Sequence, residues 1–283
     1  MVLRKLPVVP ITSRIEIADL VVRRLADGLG ETLKAWATSG EIRHVVVDNL
    51  LPEELAYRIS ETFPAHGRLI LKKSLREHKY VGVQMDQYDP LAEEAIYAFQ
   101  DPRMVDAVRR ITEISDLLPD EDLYVGGLSS MGRGQFLNPH IDNSHDKDRD
   151  HWRALNLLYY VSPDWQLEDG GNLELWPSGV GRPQVTLWSR FNRLIIMETH
   201  AGSWHSVSPI TVNRARRCIS NYYFSSSPVR AGDRFHVTSF RARPGDTARD
   251  LALQADTILR MGLRQLKPKG IRKNPHIYKR PND

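Results

Sequence analysis

The stretch that decides the fold is Asn138-Pro139-His140-Ile141-Asp142-Asn143, in which one apolar residue separates a histidine from an aspartate. On a β-strand, side chains at i and i+2 point to the same face, so both can reach a single metal ion. A second histidine, His205, follows 65 positions later, which leaves room for several strands between the two. Two histidines and one carboxylate are the donor set typical of a non-haem iron(II) site with open positions. The spacing therefore predicts a metal site formed by His140, Asp142 and His205.

The residue pattern around this motif is that of an all-β domain. Between residues 122 and 226, short apolar runs alternate with Gly, Pro, Asn and Asp, which is typical of a sandwich or barrel. The predicted strands are Leu123–Leu128, Gln135–Leu137, Leu155–Val161, Asn172–Trp176, Gln184–Trp188, Leu194–Met197 and Cys218–Phe224.

Helical patterns flank this region on both sides. Ser13 followed by Glu16 is a capping-box signature, and apolar residues then recur at helical spacing up to Trp36. Thr247 is the candidate cap of a last helix over 247–266, with Leu251, Ala255, Ile258 and Leu259 on its apolar face. We therefore expect N-terminal helical support and the first strands in residues 1–121, the β core in 122–230, and a C-terminal helix and basic tail in 231–283.

Composition limits the class of protein. A hydrophobic content of 41% in 283 residues fits a soluble globular protein. No apolar run approaches the roughly 18 residues of a membrane helix, and Pro7 and Pro10 interrupt any signal-peptide pattern. The single cysteine, Cys218, excludes an internal disulfide and fits a reducing compartment. We expect a cytoplasmic protein without a membrane partner.

The net charge of +4 is concentrated near the C-terminus. Residues 264–280 contain seven cationic side chains and no acid. A solvated tail is the favoured interpretation, and a docking strip for an anionic substrate or nucleic acid is the alternative.

An iron(II) oxygenase also needs a source of two electrons while O2 is split. 2-Oxoglutarate can supply them, and its far carboxylate then needs a buried cation, for which the planar guanidinium of arginine is well suited. Arg214, Arg216 and Arg217 follow His205 closely. Strand alternation puts Arg216 on one face with Cys218, Ser220 and Tyr222, so Arg216 is the predicted carboxylate ligand.

Several segments together resemble the iron(II)/2-oxoglutarate-dependent oxygenases, most closely the prolyl-hydroxylase-like branch. They are Pro139–Asn143, Leu158–Trp165, Gly170–Pro177, Arg190–Ile196, His205–Pro209 and Arg216–Phe224. The resemblance implies a mostly β core with flanking helices, folded as a double-stranded β-helix (jelly-roll, cupin-like) barrel.

The same resemblance implies roles for individual residues. His140, Asp142 and His205 correspond to the iron ligands at the catalytic centre. Arg216 and Tyr160 correspond to the residues that hold the distal carboxylate of 2-oxoglutarate, and Leu173 to the apolar wall beside it. Asn156 and Ser220 face the same pocket by strand alternation. The family's arginine usually comes nine or ten residues after the distal histidine, so Arg214, at nine, remains an alternative to Arg216, at eleven.

The expected activity is that of a dioxygenase that hydroxylates an unactivated C–H bond and releases succinate and CO2. It would use Fe(II), 2-oxoglutarate and O2, with ascorbate as a supporting reductant. The substrate would be a small molecule or a peptidyl group, such as a prolyl or other protein residue, an amino acid or a sugar, and Asn143, Arg153 and Trp204 are candidate substrate contacts. The resemblance predicts neither the substrate's identity nor the oligomeric state.

Other functions are open on the sequence alone. The main alternative is a non-catalytic jelly-roll module that binds a ligand or a protein. Retention of all three metal ligands and a matching arginine disfavours it. Action on nucleic acid is also disfavoured, because the strand after His205 lacks the Arg-x-Asn-x-Thr-x-Arg pattern of that branch.

Overall fold

The N-terminal helices form as the capping signals predict. The computed structural model describes residues 12–124 and 126–266. Ser13 and Glu16 make the expected capping box at the start of the first helix, and the helical pattern divides at Gly28 into two helices. The helices are α1 Arg14–Asp27, α2 Leu29–Thr38, α3 Glu53–Glu61, α4 Pro90–Ala98, α5 Pro102–Thr112 and α6 Thr247–Leu266.

The strands of the described chain join into one antiparallel sheet. They are β1 His44–Asp48, β2 Ile70–Lys73, β3 Glu77–Gly82, β4 Leu118–Pro119, β5 Gly127–Met131, β6 Phe136–Ile141, β7 Trp152–Tyr160, β8 Leu173–Leu175, β9 Val185–Leu187, β10 Arg193–Glu198, β11 His205–Val207, β12 Arg216–Ser225 and β13 Ser239–Phe240.

The strand order shows how the sheet is built. The main path is β1-β10-β7-β12-β5-β3-β6-β11-β8-β9, while β13 pairs with β6, β2 with β3 and β4 with β12. The sheet curls into a half-barrel with helices beside it, which confirms the predicted mostly β core and is consistent with a double-stranded β-helix. Strands β1, β2 and β3 precede residue 122 and join this sheet, so the N-terminal part of the chain contributes to the same barrel. The division at residues 121 and 230 stays a prediction.

The two faces of the sheet pack differently. On the outer face Tyr159 and Tyr223 are buried against the helices, together with Ile17, Leu25 and Phe99. On the inner face Tyr160 lies with Leu173 and Cys218 in a smaller apolar cluster. Because neighbouring side chains on a strand point to opposite faces, Tyr159 belongs to the helical layer and Tyr160 to the interior of the barrel.

The C-terminal helix has the predicted bounds, but its apolar face is largely exposed. Leu251, Ile258 and Leu259 are 69%, 73% and 64% exposed, whereas Leu253 is 2% exposed and packs with the barrel. The apolar stripe read from the sequence therefore does not mark the side of this helix that meets the barrel. Here α6 meets the barrel through Leu253 and a row of polar side chains on the same side.

The first predicted core strand is also displaced. The segment expected to begin at Leu123 enters the sheet only at Gly127. Leu123 has a left-handed backbone, and its N–H donates to the Asp120 carbonyl oxygen at 3.0 Å, as in a turn. Two adjacent glycines, Gly126 and Gly127, then allow the backbone to pass close to the carbonyl oxygens of Ser220 and Gly82.

We predict that Gly170→Ala strongly destabilises the fold. Gly170 has φ +75°, and an added Cβ would collide with the Pro209 carbonyl oxygen on the loop after β11. We expect a loss of about 3 kcal/mol or more in the free energy of unfolding, measured by urea titration. Gly179→Ala is the matched control, since Gly179 also has positive φ but no atom within 4 Å of the added Cβ, and should cost only about 1 kcal/mol. Equal losses in both variants would contradict the packing argument.

Candidate metal centre

Strand pairing brings the three predicted metal ligands together. In the β6–β11 ladder His140 lies directly opposite His205, and Asp142 follows the end of β6. Asp142 Oδ1 lies 3.6 Å from His140 Nε2, and its Oδ2 lies 3.5 Å from His205 Nε2. The ligand atoms of the three residues all fall within 4.8 Å of one another. They could therefore bind one ion between them.

Hydrogen bonds fix the orientation of both imidazole rings. His140 Nδ1 lies 3.0 Å from the Asn138 carbonyl oxygen, and His205 Nδ1 lies 2.9 Å from that of Ser203. Each Nδ1 therefore carries the proton, and each Nε2 lone pair is directed to the common point. Burial, and then the neighbouring His140, lower the pKa of His205 to about 4, so the ring is neutral as a ligand must be.

Two polar side chains of β7 hold the carboxylate of Asp142. Arg153 Nη1 pairs with Oδ1 at 2.8 Å, and Asn156 Nδ2 donates to Oδ2 at 2.8 Å. Burial alone would raise the pKa of Asp142, but the charge of Arg153, followed by the two histidines, keeps it well below its usual range. Both oxygens of the Asp142 carboxylate are thus held in place by a neighbouring side chain. Arg153, expected near the substrate, and Asn156, expected near the cosubstrate, both contact this ligand.

A cavity of about 550 Å³ opens in front of the metal ligands. The predicted site residues that line it besides the three ligands are Asn143, Arg153, Asn156, Leu173, Arg216 and Ser220. Asn143 also donates to the carbonyl oxygen of His145 at 2.5 Å, which ties the following loop to the site.

Arg216 has the surroundings that a carboxylate-binding arginine requires. It is 3% exposed, and its guanidinium carbon lies 4.7 Å from the centre of the Tyr160 ring. Its Nη1 contacts Met131 Sδ at 3.8 Å, and within the described residues no carboxylate lies in salt-bridge range of it. Its Nε is buried without a partner. By contrast, the Arg214 side chain is 46% exposed and forms an ion pair with Asp169.

Two predicted residues lie outside the cavity wall. Tyr160 is buried behind Arg216, where burial raises the pKa of its hydroxyl to about 12 despite the opposing charge of Arg216. Trp204 is partly buried next to His205, and strand alternation directs its side chain away from the ligand face. In the part of the chain that the structure describes, neither side chain reaches the cavity surface.

The structure adds acidic and basic cavity residues that the sequence analysis did not name individually, although they lie in the segments 68–90, 143–152 and the C-terminal region, where specificity elements were expected. They are Lys72, Arg76, Glu77 and Lys79 around β2 and β3, His145 in the loop after β6, and Arg260 and Arg264 on α6. Alternation along β3 does place Glu77, Lys79 and Val81 on one face. Nothing local to the sequence shows that this face joins the metal strands, because β3 pairs with β5 and β6 far along the chain.

Comparison with known proteins agrees with this geometry. Residues 126–225 match the family model of the 2OG-Fe(II) oxygenase superfamily. That segment belongs to this superfamily. The protein is therefore a 2-oxoglutarate-dependent dioxygenase that uses iron(II). The matched segment includes His140, Asp142 and Arg216. No curated protein sequence matches the chain.

Solved structures support the fold. A prolyl-4-hydroxylase from Pseudomonas putida is 15% identical, and the match covers 70% of this chain and 100% of that chain with a TM-score of 0.52. A prolyl 4-hydroxylase from Phytophthora capsici is 16% identical, with coverage of 94% and 84% and a TM-score of 0.51. At these identities the likeness establishes the fold alone. Among the described residues, no helix has the length and apolar character needed to cross a bilayer.

We predict that metal binding depends on the three ligands and on Arg153. His140→Ala, Asp142→Ala and His205→Ala should each abolish the binding of about one Mn(II) per chain, measured by calorimetry without oxygen chemistry. Arg153→Met removes the charge that orients Asp142 and should weaken metal binding about 10- to 100-fold. The exposed Arg190→Met is the control and should bind normally. Unchanged affinity in Arg153→Met would show that the ion pair does not prepare the ligand.

Proposed function

We propose that this oxygenase hydroxylates an unactivated C–H bond of its substrate. The observation that supports it most directly is that one cavity contains both a His-Asp-His donor set and a buried arginine that has no carboxylate partner among the described residues. The first fits iron(II), and the second fits the distal carboxylate of 2-oxoglutarate. A cavity that only bound a ligand would have no physical need for both.

The chemistry divides between the metal and the protein. Bound iron(II) would couple the oxidative decarboxylation of 2-oxoglutarate by O2 to oxidation of the substrate C–H bond. One oxygen atom of O2 ends in the product hydroxyl, the other in succinate, and C1 of 2-oxoglutarate leaves as CO2. Ascorbate would support activity by keeping free enzyme in the iron(II) form. Because Asp142 supplies a carboxylate ligand, we favour hydroxylation over halogenation, in which a small residue at this position would leave room for chloride.

The protein's own residues position the reactants. Arg216 would hold the distal carboxylate of 2-oxoglutarate, with the Tyr160 ring supporting the guanidinium from behind. Leu173 and Ser220 would form the apolar and hydroxyl parts of the same pocket. Arg153 and Asn156 act through Asp142, since each holds one of its oxygens. Asn143 remains a candidate contact at the cavity wall, whereas Trp204 could contact a substrate only outside the cavity.

The test of the activity is succinate formation. With iron(II), 2-oxoglutarate, O2 and ascorbate, the purified protein should release succinate slowly even without its substrate, because 2-oxoglutarate can be decarboxylated in an uncoupled reaction. Asp142→Ala should reduce the rate to that of iron in buffer. If wild type and Asp142→Ala give the same succinate by mass spectrometry, the proposed activity is wrong.

We predict that Arg216, and not Arg214, sets the requirement for 2-oxoglutarate. Arg216→Met should raise the KM for 2-oxoglutarate in succinate release at least about 100-fold, because it leaves a desolvated carboxylate without its cation. Arg214→Met should change this KM less than about two-fold, since the Arg214 side chain is largely exposed and already pairs with Asp169. The reverse ranking would assign the carboxylate to Arg214.

A further inference from the structure

The cavity is strongly cationic beyond what iron and 2-oxoglutarate require. Besides Arg153 and Arg216, five cationic side chains line it: Lys72, Arg76, Lys79, Arg260 and Arg264. Among the described residues the only acids in the lining are Glu77 and Asp142. Iron(II) and the dianion 2-oxoglutarate carry opposite charges of equal size, so their binding leaves this imbalance unchanged.

One part of the excess charge lies on β2 and β3. Lys72 and Lys79 face each other directly across the two strands, and both line the cavity. Like charges in this position are unfavourable for a sheet. In the part of the chain that the structure describes, Glu77 is the acid that pairs here, with Lys79 at 3.0 Å. Burial, and then the charge of Lys79, lower the pKa of Lys72, with Glu77 opposing. Two cations therefore share one carboxylate here.

A second part lies between the loop before β3 and α6. Arg76 and Arg260 both pair with Asp256, so again two cations share one carboxylate. Arg260 also donates to the Thr238 carbonyl oxygen at 2.6 Å, which holds its guanidinium at the cavity wall. Burial, followed by repulsion from Arg76, lowers the pKa of Arg260.

This second group is connected to the metal centre by direct contacts. The Phe240 ring stacks on His140, with centroids 5.2 Å apart and planes 16° apart. The guanidinium carbon of Arg76 lies 6.0 Å from the centre of the same Phe240 ring. A group bound by these arginines would therefore stand about one aromatic ring away from a metal ligand.

The positive field extends to the opposite side of the cavity. His145 lines the cavity and is 4% exposed. Burial, and then the charges of Arg264 and Arg149, lower the pKa of its imidazole to about 3. Cations on α6 and on β2 and β3 thus line one cavity, and the charge of Arg149 in the loop after β6 also acts on His145 in its wall.

We propose that the substrate is a small molecule bearing a carboxylate or phosphate group, which Lys72, Arg260 and their cationic neighbours bind. This inference rests on the proposed hydroxylase function. A small molecule fits because about 550 Å³ lies within the range of small-molecule sites, about 300–1,000 Å³, and 2-oxoglutarate must share it. The helix α6 contributes Arg260 and Arg264 to the wall, which further encloses the bound group.

The test uses simple probes of matched shape on protein loaded with Mn(II) and saturating 2-oxoglutarate, so that the cosubstrate site is filled. Calorimetry should show that phenyl phosphate or benzoate binds at least about ten-fold tighter than benzamide or benzylamine, and that the preference falls with added salt. The ranking of phenyl phosphate against benzoate distinguishes a phosphate from a carboxylate substrate.

Variants then locate the binding. Lys72→Met and Arg260→Met should each weaken binding of the anionic probe at least about five-fold and leave benzamide unchanged, while the exposed Arg190→Met should change neither. Equal binding of anionic and neutral probes, or an unchanged preference in both Lys72→Met and Arg260→Met, would overturn the proposal. Probe binding requires no turnover, so absent succinate release would reject the hydroxylase function separately.

Discussion

The pairing of β6 with β11 is the constraint on which the site depends. It places His140 opposite His205, and the backbone carbonyls of Asn138 and Ser203 then fix both rings from behind. Two-residue alternation brings Asp142 to the same side. A shift of the ladder by one residue would turn one histidine to the other face of the sheet. The glycine turn at Gly170, packed against the backbone of Pro209, helps to hold this register because β8 is the other neighbour of β11.

A second requirement is that the buried charge of Asp142 be compensated before any metal binds. Arg153 and Asn156 do this from β7, and both lie on the strand face that Tyr160 occupies further along. The same strand pairs with β12, which carries Arg216 against the Tyr160 ring. Strand β7 therefore connects the side of the cavity at Asp142 to the side at Arg216. A change in its position would disturb both sides together.

Sequence reasoning was most successful where a short motif has a fixed geometric meaning. Three such motifs depend on residues that are close together in the chain: His-x-Asp on a strand, the alternation from Arg216 to Tyr222, and the capping box at Ser13. The structure places these residues as predicted. It failed where the partner surface decides the outcome. Three features depend on packing between separate elements: the buried side of α6, the contact of Arg153 with Asp142, and the entry of Lys72 and Lys79 into the cavity, which follows from the pairing of β3 with β5 and β6.

This difference has a consequence for specificity. Sequence reasoning proposed residues for binding iron and 2-oxoglutarate, and these two requirements are the same whatever the substrate is. The cavity residues that it did not name lie on β2, on β3, in the turn between them, in the loop after β6 and on α6. The turn meets α6 where Arg76 and Arg260 both pair with Asp256. These elements form part of the same cavity wall as Phe240 and His140, and Arg76 contacts the Phe240 ring. Substrate choice could therefore change through cavity-lining positions on β2 and α6 while the β6–β11 ladder, which places the predicted metal ligands, stays as it is.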